Sequence, residues 1–310
     1  MSLASKLASL GRLSRTLTDI GQIRLQRRFR YELRQRLDRR LPPRIALVWA
    51  GANKHQLGWR MIHPLASGDS VLAPPLPALN LRVVSFSFLS QERQLPWPIH
   101  WNDPQWPRLW QFHLHYFDWA REWVNDALSA GHWPDQAVGL QPLLDSWIAS
   151  NPPGRGDGWH SYTLSLRTRN WIALFRACPA LASPERLQSL WQQLCWLQAH
   201  PEHCHGGNHW LENLTALALG GLQFHGPKSS RMHRRAMRLL QRELRQQVLS
   251  DGGHEERSAS YHLLMLDRLA ELAHALQRTT GDQPPWLMEV IETMARWVQL
   301  IRLESGKTPR

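Results

Sequence analysis

The spacing of apolar and polar residues changes character along this chain. From about Asn102 onward, apolar residues recur every three to four positions, as in helices that bury one stripe. Turn signals separate these stretches at Gly131, Asn151 to Gly158, Pro179 to Pro184, Gly206-Gly207, Gly226-Pro227, Gly252-Gly253 and Gly281 to Pro285. The pattern predicts repeated antiparallel helix pairs, the last helix running from Leu287 to Leu303. Upstream, Pro42, Pro43, Pro64, Pro74, Pro75, Pro77, Pro96 and Pro98 exclude long helices between Leu41 and Pro98. There LRVVSFSFL, Leu81 to Leu89, is the one credible strand. Met1 to Leu41 reads as basic, partly amphipathic helix, with Ile20, Ile23, Leu25 and Phe29 set among arginines. The chain therefore divides into a basic helical arm (1–44), a Pro-rich connector with a short strand (45–101) and a helical domain (102–310).

Two segments join polar clusters to apolar helices. In GGNHWLENLTALALGG, Gly206 to Gly221, helical spacing puts Asn208 and Glu212 on one face with His209 alongside. Leu211, Leu214, Leu217, Ala218 and Leu222 supply an anchoring stripe. An amide, an imidazole and a carboxylate at a helix start suit a site; a polar cap with a satisfied histidine is the plainer alternative. In DGGHEERSASYHLLMLDRLAEL, Asp251 to Leu272, a Gly-rich turn leads through His254, Glu255, Glu256 and Arg257. Tyr261 and His262 then open an apolar helix through Leu263, Leu266, Leu269 and Leu272.

Together these segments resemble the heparinase II/III and alginate-lyase-like family of polysaccharide lyases, which carries a GNHxxEN-type motif and later a DGGHxERSxxYH-type motif. FSFLSQERQLPWPIHWN (Phe86 to Asn102), LWQFHLHYFDW (Leu109 to Trp119) and GWHSYTLSLRTRNWI (Gly158 to Ile172) fit the same pattern in the same order. The resemblance implies a mainly α fold, an incomplete (α/α) toroid of antiparallel helix hairpins. It also implies a β-sandwich after the toroid, absent before the chain stops at Arg310. The expectation is the N-terminal portion of a split or truncated lyase, or a shortened homologue with altered function.

The activity the resemblance implies is β-elimination on a uronic-acid-containing polysaccharide. Asn208 and His209 would hold the uronate carboxylate, and Tyr261 would transfer the proton. Preorganised donors at a developing enolate are worth about 3–4 kcal/mol each. A tyrosine at its reference pKa of about 10 is a good acid and a poor base at neutral pH, and a nearby cation such as Arg257 favours its phenolate. Arg167, Asn170, Trp171 and Trp159, with Arg257, His262 and Tyr116, are the expected substrate-binding residues, and Arg169, His160 and Tyr162 fall in the same expected cleft segment, because arginine pairs bidentately with carboxylate or sulfate and aromatic faces stack on sugars. Trp171 packed in a helix between solvated arginines is the competing reading for that segment. Glu212 and His254 are expected to be structural near the site, although Glu212 could instead orient His209.

Composition adjusts this picture little. The 17 tryptophans give stacking platforms, though most are expected to pack between helices. The net charge of +12 suggests a polyanion partner, yet 12 Lys and Arg against 3 Asp and Glu fall within 1–44, so most of the excess lies in the arm. That arm can touch a membrane surface or a partner, a solvated helix packing one stripe being the favoured reading; nucleic-acid binding rests on charge alone and is not expected. Cys178, Cys195 and Cys204 read as free thiols. His200, His203, Cys204, His205 and His209 match no defined zinc spacing, so neither a metal nor another cofactor is expected. Asp145, Asp157 and Glu212 form no convincing hydrolase pair. No apolar run spans a membrane. Lys6, Arg12 and Arg15 interrupt any signal-peptide core, giving a cytoplasmic expectation for a family often periplasmic or secreted. The expected partners are an acidic polysaccharide and a separately encoded β-sandwich half; a non-catalytic acidic-polysaccharide binder is the alternative.

Overall fold

The computed structural model describes residues 41–52, 58–60, 82–129, 139–202 and 207–301, with isolated positions between 29 and 40. The expectations for most of the arm, the Gly131 turn and the His203, Cys204 and His205 stretch lie outside the described residues. A short helix α1 (Pro43–Trp49) precedes a hairpin of β1 (Val83–Phe88) and β2 (Gln91–Pro96). Its two-residue turn, Leu89-Ser90, has positive φ at both positions, the twist that lets antiparallel strands close tightly. Only the first strand was legible in the sequence. Gln91–Pro96 has weak strand propensity and becomes a strand by pairing in register, Phe86 opposite Arg93 and Val84 opposite Leu95. Phe86 turns inward onto Trp119 at 4.9 Å, which docks the hairpin on the helices.

The helices are α2 (Arg108–Tyr116), α3 (Asp118–Ser129), α4 (Gln141–Ser150), α5 (Ser161–Ala177), α6 (Pro184–Ala199), α7 (Gly207–Gln223), α8 (Pro227–Gln247), α9 (Ala259–Thr280) and α10 (Pro285–Ile301). Their boundaries follow local chemistry. The Ser183 hydroxyl accepts from the Arg186 N–H to cap α6, the Ser258 hydroxyl caps α9, and Gly281 ends α9 in the left-handed conformation. Proline begins α6 and α8, where its missing N–H costs nothing.

Helices α5, α7 and α9 form an inner layer in chain order, with α6, α8 and α10 outside them. Burial matches these positions. From Trp210 to Gln223 every residue of α7 is buried, as an inner helix requires. Its neighbour α8 buries only Ser229, Met232, Ala236, Leu240, Leu244 and Gln247, one stripe at helical spacing. Gly221 permits the close approach, since a Cβ there would meet the backbone nitrogen of His233 at 2.5 Å. This alternation is that of an (α/α) toroid, and the described residues form an arc of it.

The tryptophans mostly pack. Trp101, Trp110, Trp147 and Trp171 are fully buried, and Trp147 and Trp171 meet edge to face at 5.6 Å.

Candidate functional site

The two sequence motifs meet at the N-terminal end of α7. Gly207 opens the helix at φ 51°, and any side chain there would collide with the Glu256 carboxylate. Glu256 Oε1 accepts the Asn208 N–H at 2.9 Å. The second motif thereby caps the helix that carries the first, its negative charge at the positive end of the helix dipole. Because Glu256 takes this backbone donor, a bound anion would meet the side chains of Asn208 and His209. Asn208 is buried to 7% exposure, while the His209 side chain remains 39% exposed.

His209 stacks on Tyr162, ring centres 4.2 Å apart, and its Nδ1 lies 3.6 Å from Glu202 Oε1. On the other side His160 Nε2 approaches the same oxygen at 3.7 Å. The Glu202 side chain is 1% exposed, and its backbone N–H donates to Asn213 Oδ1 at 2.8 Å. Asn213 in turn donates to Ser165 Oγ at 2.9 Å. A buried carboxylate thus sits between two half-open imidazoles, fixed to α5 and α7. Burial lowers the His160 pKa, and Glu202 opposes that shift. Tyr116 meets Tyr162 edge-on at 6.1 Å and Phe112 parallel at 6.4 Å, completing an aromatic wall. Burial, reinforced by Glu212 and Tyr116, pushes the Tyr162 phenol above its ordinary range, so at neutral pH it is a hydrogen-bond donor.

Below the wall lies a charge network. Glu212, fully buried, accepts from Arg268 Nε at 2.7 Å and lies 3.6 Å from Arg169. Arg169 Nε reaches Glu271 at 2.7 Å, and Arg121 reaches it at 3.0 Å. Side chains of α3, α5, α7 and α9 are tied together, and Glu212 is engaged by arginines on two neighbouring helices.

Several residues expected to bind substrate lie elsewhere. Arg167 is fully buried; it donates to Gln193 Oε1 at 2.8 Å, the His115 carbonyl at 3.2 Å and the Gly158 carbonyl at 2.7 Å. Its guanidinium lies 3.8 Å from the centre of the Trp147 ring. Asn170 is buried and donates to the Tyr116 carbonyl and Asp118. Trp171 and Trp159 are core residues. His262 is buried against Trp297, ring centres 4.4 Å apart, with Nε2 at 3.0 Å from the Met294 carbonyl. These five side chains hold helices together and present no surface to a polymer. His254 is likewise buried, its Nε2 at 3.3 Å from Gln247 Oε1. Tyr261 and Arg257 are exposed, Tyr261 at 45% and Arg257 at a backbone φ of 51°. Among the described residues the Tyr261 ring touches neither His209 nor Tyr162.

Sequence reading gave Glu202 and Glu256 no role at the site; it placed Tyr162 and His160 in a cleft segment without pairing them with His209. Glu202 follows a proline, Pro201, outside any motif, so nothing marked it. Asp145 and Asp157 are occupied by Arg186 and Arg108, both at bidentate spacing. His200, from the histidine-rich stretch, stacks on Trp196 at 4.1 Å.

Residues 82–309 match the model of the heparinase II/III N-terminus. The chain belongs to the heparinase II/III family. It is 25% identical over 229 residues to a heparin-sulfate lyase of Pedobacter heparinus, covering 69% of this chain and 33% of that protein. It is also 26% identical over 194 residues to FtsZ-localized protein C of Caulobacter vibrioides, covering 62% of this chain and 33% of that one. The chain thus spans about a third of the curated relatives it matches. The fold resembles that of heparan sulfate lyase HepC from Pedobacter heparinus, with a TM-score of 0.56 at 18% identity over 85% of this chain and 44% of that one. Heparinase III superposes with a TM-score of 0.52 at 20% identity, over 66% and 33% of the two chains. In heparinase II/III terms, the match runs from the hairpin through α10.

Proposed function

We propose that this chain supplies the helical half of a lyase that cleaves a uronate-bearing polysaccharide by β-elimination. The observation that supports this best is the pairing of Asn208 with a half-exposed His209 at the positive end of α7, beside an aromatic wall suited to sugar rings. In this reading Asn208 and His209 hold the uronate carboxylate and stabilise the negative charge that develops when the C5 proton leaves. Tyr261, exposed on the first turn of α9, moves the proton. The electron pair from the C–H bond forms the C4–C5 double bond, and the C4–O bond breaks as the departing glycosidic oxygen is protonated. Tyr162 stacks on His209 and sets its ring plane. On the family's pattern a β-sandwich half contributes the remaining histidine.

The new double bond is conjugated with the carboxylate and absorbs in the ultraviolet, which hydrolysis cannot produce. Absorbance is followed during incubation with a panel of uronate polymers, using the chain alone and as part of any longer protein that carries it. The expected result is a rise that falls at least a hundredfold in rate in His209→Ala and in Tyr261→Phe, with the helical circular dichroism unchanged. Equal turnover in both variants would sink the assignment. A second reading, a non-catalytic binder, draws on the similarity to FtsZ-localized protein C; saturable polysaccharide binding with no absorbance change in any form of the protein would favour it.

A further inference from the structure

Helix α8 carries Arg231, Arg234, Arg235, Arg238, Arg242 and Arg245, all exposed. At 100° per residue these six positions fall on one side of the helix, opposite the buried stripe from Ser229 to Gln247. They extend over about 21 Å at 1.5 Å per residue. Among the described residues none of the six makes an ion pair, and Glu243 is the only acidic residue of the helix. Five arginines on other helices, Arg108, Arg121, Arg169, Arg186 and Arg268, do have carboxylate partners.

Beside the ridge lies an open groove of about 460 Å³, lined by Arg234 and Arg238 together with Met237, Leu276, Pro284 and Trp286. Trp286 is half-buried, offering a flat apolar face next to two guanidinium groups. The opposite end of the ridge, at Arg245, abuts the turn that serves the cleft. The Gln247 carbonyl accepts the Glu255 N–H at 2.8 Å, and Glu256 caps α7.

We propose that the outer face of α8 with the Trp286 groove is a second polyanion-binding site, outside the cleft, for an acidic polysaccharide. Guanidinium forks take carboxylate or sulfate groups at successive turns, and Trp286 stacks on a sugar ring. The apolar stripe of α8 is spent on the core, so nothing on this helix is left to enter a lipid layer, and a straight ridge fits a linear polymer. The site serves to hold a long chain whose other segment lies at α7. This role in substrate handling rests on the lyase reading above; the binding itself does not.

The test compares the wild-type protein with the triple variant Arg234→Gln, Arg238→Gln, Arg242→Gln and with Trp286→Ala, all checked to be fully folded at the assay temperature. Affinity for long heparin and for long alginate is measured across a salt series. The triple variant is expected to lose at least tenfold in affinity and to show a shallower dependence of log K on log salt, by about 2 for three contacts. Trp286→Ala is expected to weaken binding several-fold at the same salt slope. His209→Ala keeps the slope and the α8-dependent part of the affinity. Unchanged affinity and slope in the triple variant would overturn the proposal, as would loss of all polymer binding in His209→Ala. It would also fall if the same three arginines bound DNA or vesicles of anionic lipid more tightly than either polysaccharide. Absence of turnover with α8-dependent binding intact would count against the lyase reading alone.

Discussion

Arginines occur in two very different settings, on α5 and on α8. Arg167 and Arg169 lie inside the helical arc, nearly without exposure, and every strong contact they make is to the protein. The six arginines of α8 lie outside it, exposed and without carboxylate partners among the described residues. Residue type alone made the first pair look like ligands, because SLRTRNW sits in a motif full of aromatics. Burial reverses that assignment. A guanidinium without water around it needs partners in the protein, and Arg167 and Arg169, with at most 2% exposure, present no surface to a polymer. Net charge misled in the complementary direction: the domain outside the arm is mildly basic in sum, yet its positive charge is concentrated on one helix.

If Arg167 is structural, its removal should damage folding more than any change on α8. Arg167→Met leaves two backbone carbonyls and Gln193 without their donor and takes the cation from the face of Trp147. Unsatisfied buried acceptors cost about 1–3 kcal/mol each, so a loss of about 4 kcal/mol is expected. Urea denaturation of the soluble variant measures it; a stable variant with weakened polymer binding would restore Arg167 as a ligand.

The Glu271 pair offers a pH-dependent version of the same contrast. Burial acts to raise the Glu271 pKa, but Arg169 and Arg121 outweigh it and the net shift is downward. A carboxyl whose folded pKa is depressed contributes stability that is fully present above its unfolded pKa, about 4.3, and is lost as pH falls through the lower folded value. Glu271→Gln is therefore expected to cost about 2 kcal/mol at neutral pH and to flatten the fall in stability below about pH 4.5. Denaturation midpoints from pH 3 to 7 would show this, and an identical acid limb in both proteins would remove Glu271 from the network.

The helical arc was legible because turn chemistry punctuates it: Gly226-Pro227, Gly252-Gly253 and Gly281 to Pro285 each fall where helices end or begin. The site was legible only at the ends of the motifs. Asn208 and His209 are marked by their position at a helix start, and the structure leaves His209 open. Glu202 carries no local signal, since it reaches His160 and His209 only through the fold. The arginine ridge did have a signal, arginines at intervals of three and four opposite an apolar stripe, but a charge total summed over the domain hides it. The strand Gln91–Pro96 was illegible for another reason: its polar residues take strand geometry from pairing with Val83–Phe88.

The smallest expected effect is also the sharpest discriminator between the two groups of arginines. Arg234, Arg238 and Arg242 follow one another at four-residue intervals, so each adjacent pair repels across one helical turn. Such pairs destabilise a helix by about 0.2–0.5 kcal/mol at low salt, and Arg238 belongs to two of them. Glutamine has nearly the helix propensity of arginine. Arg238→Gln should therefore stabilise the protein by about 0.5 kcal/mol at low salt, and the gain should vanish near 1 M salt, where the screening length is about 3 Å. Thermal melts at both salt concentrations measure it, and a destabilisation comparable to that of Arg167→Met would mean that the ridge is holding the fold. If the small gain is seen, the ridge works against the helix that carries it. Its reason then lies outside the folded chain, in the anion that would neutralise it.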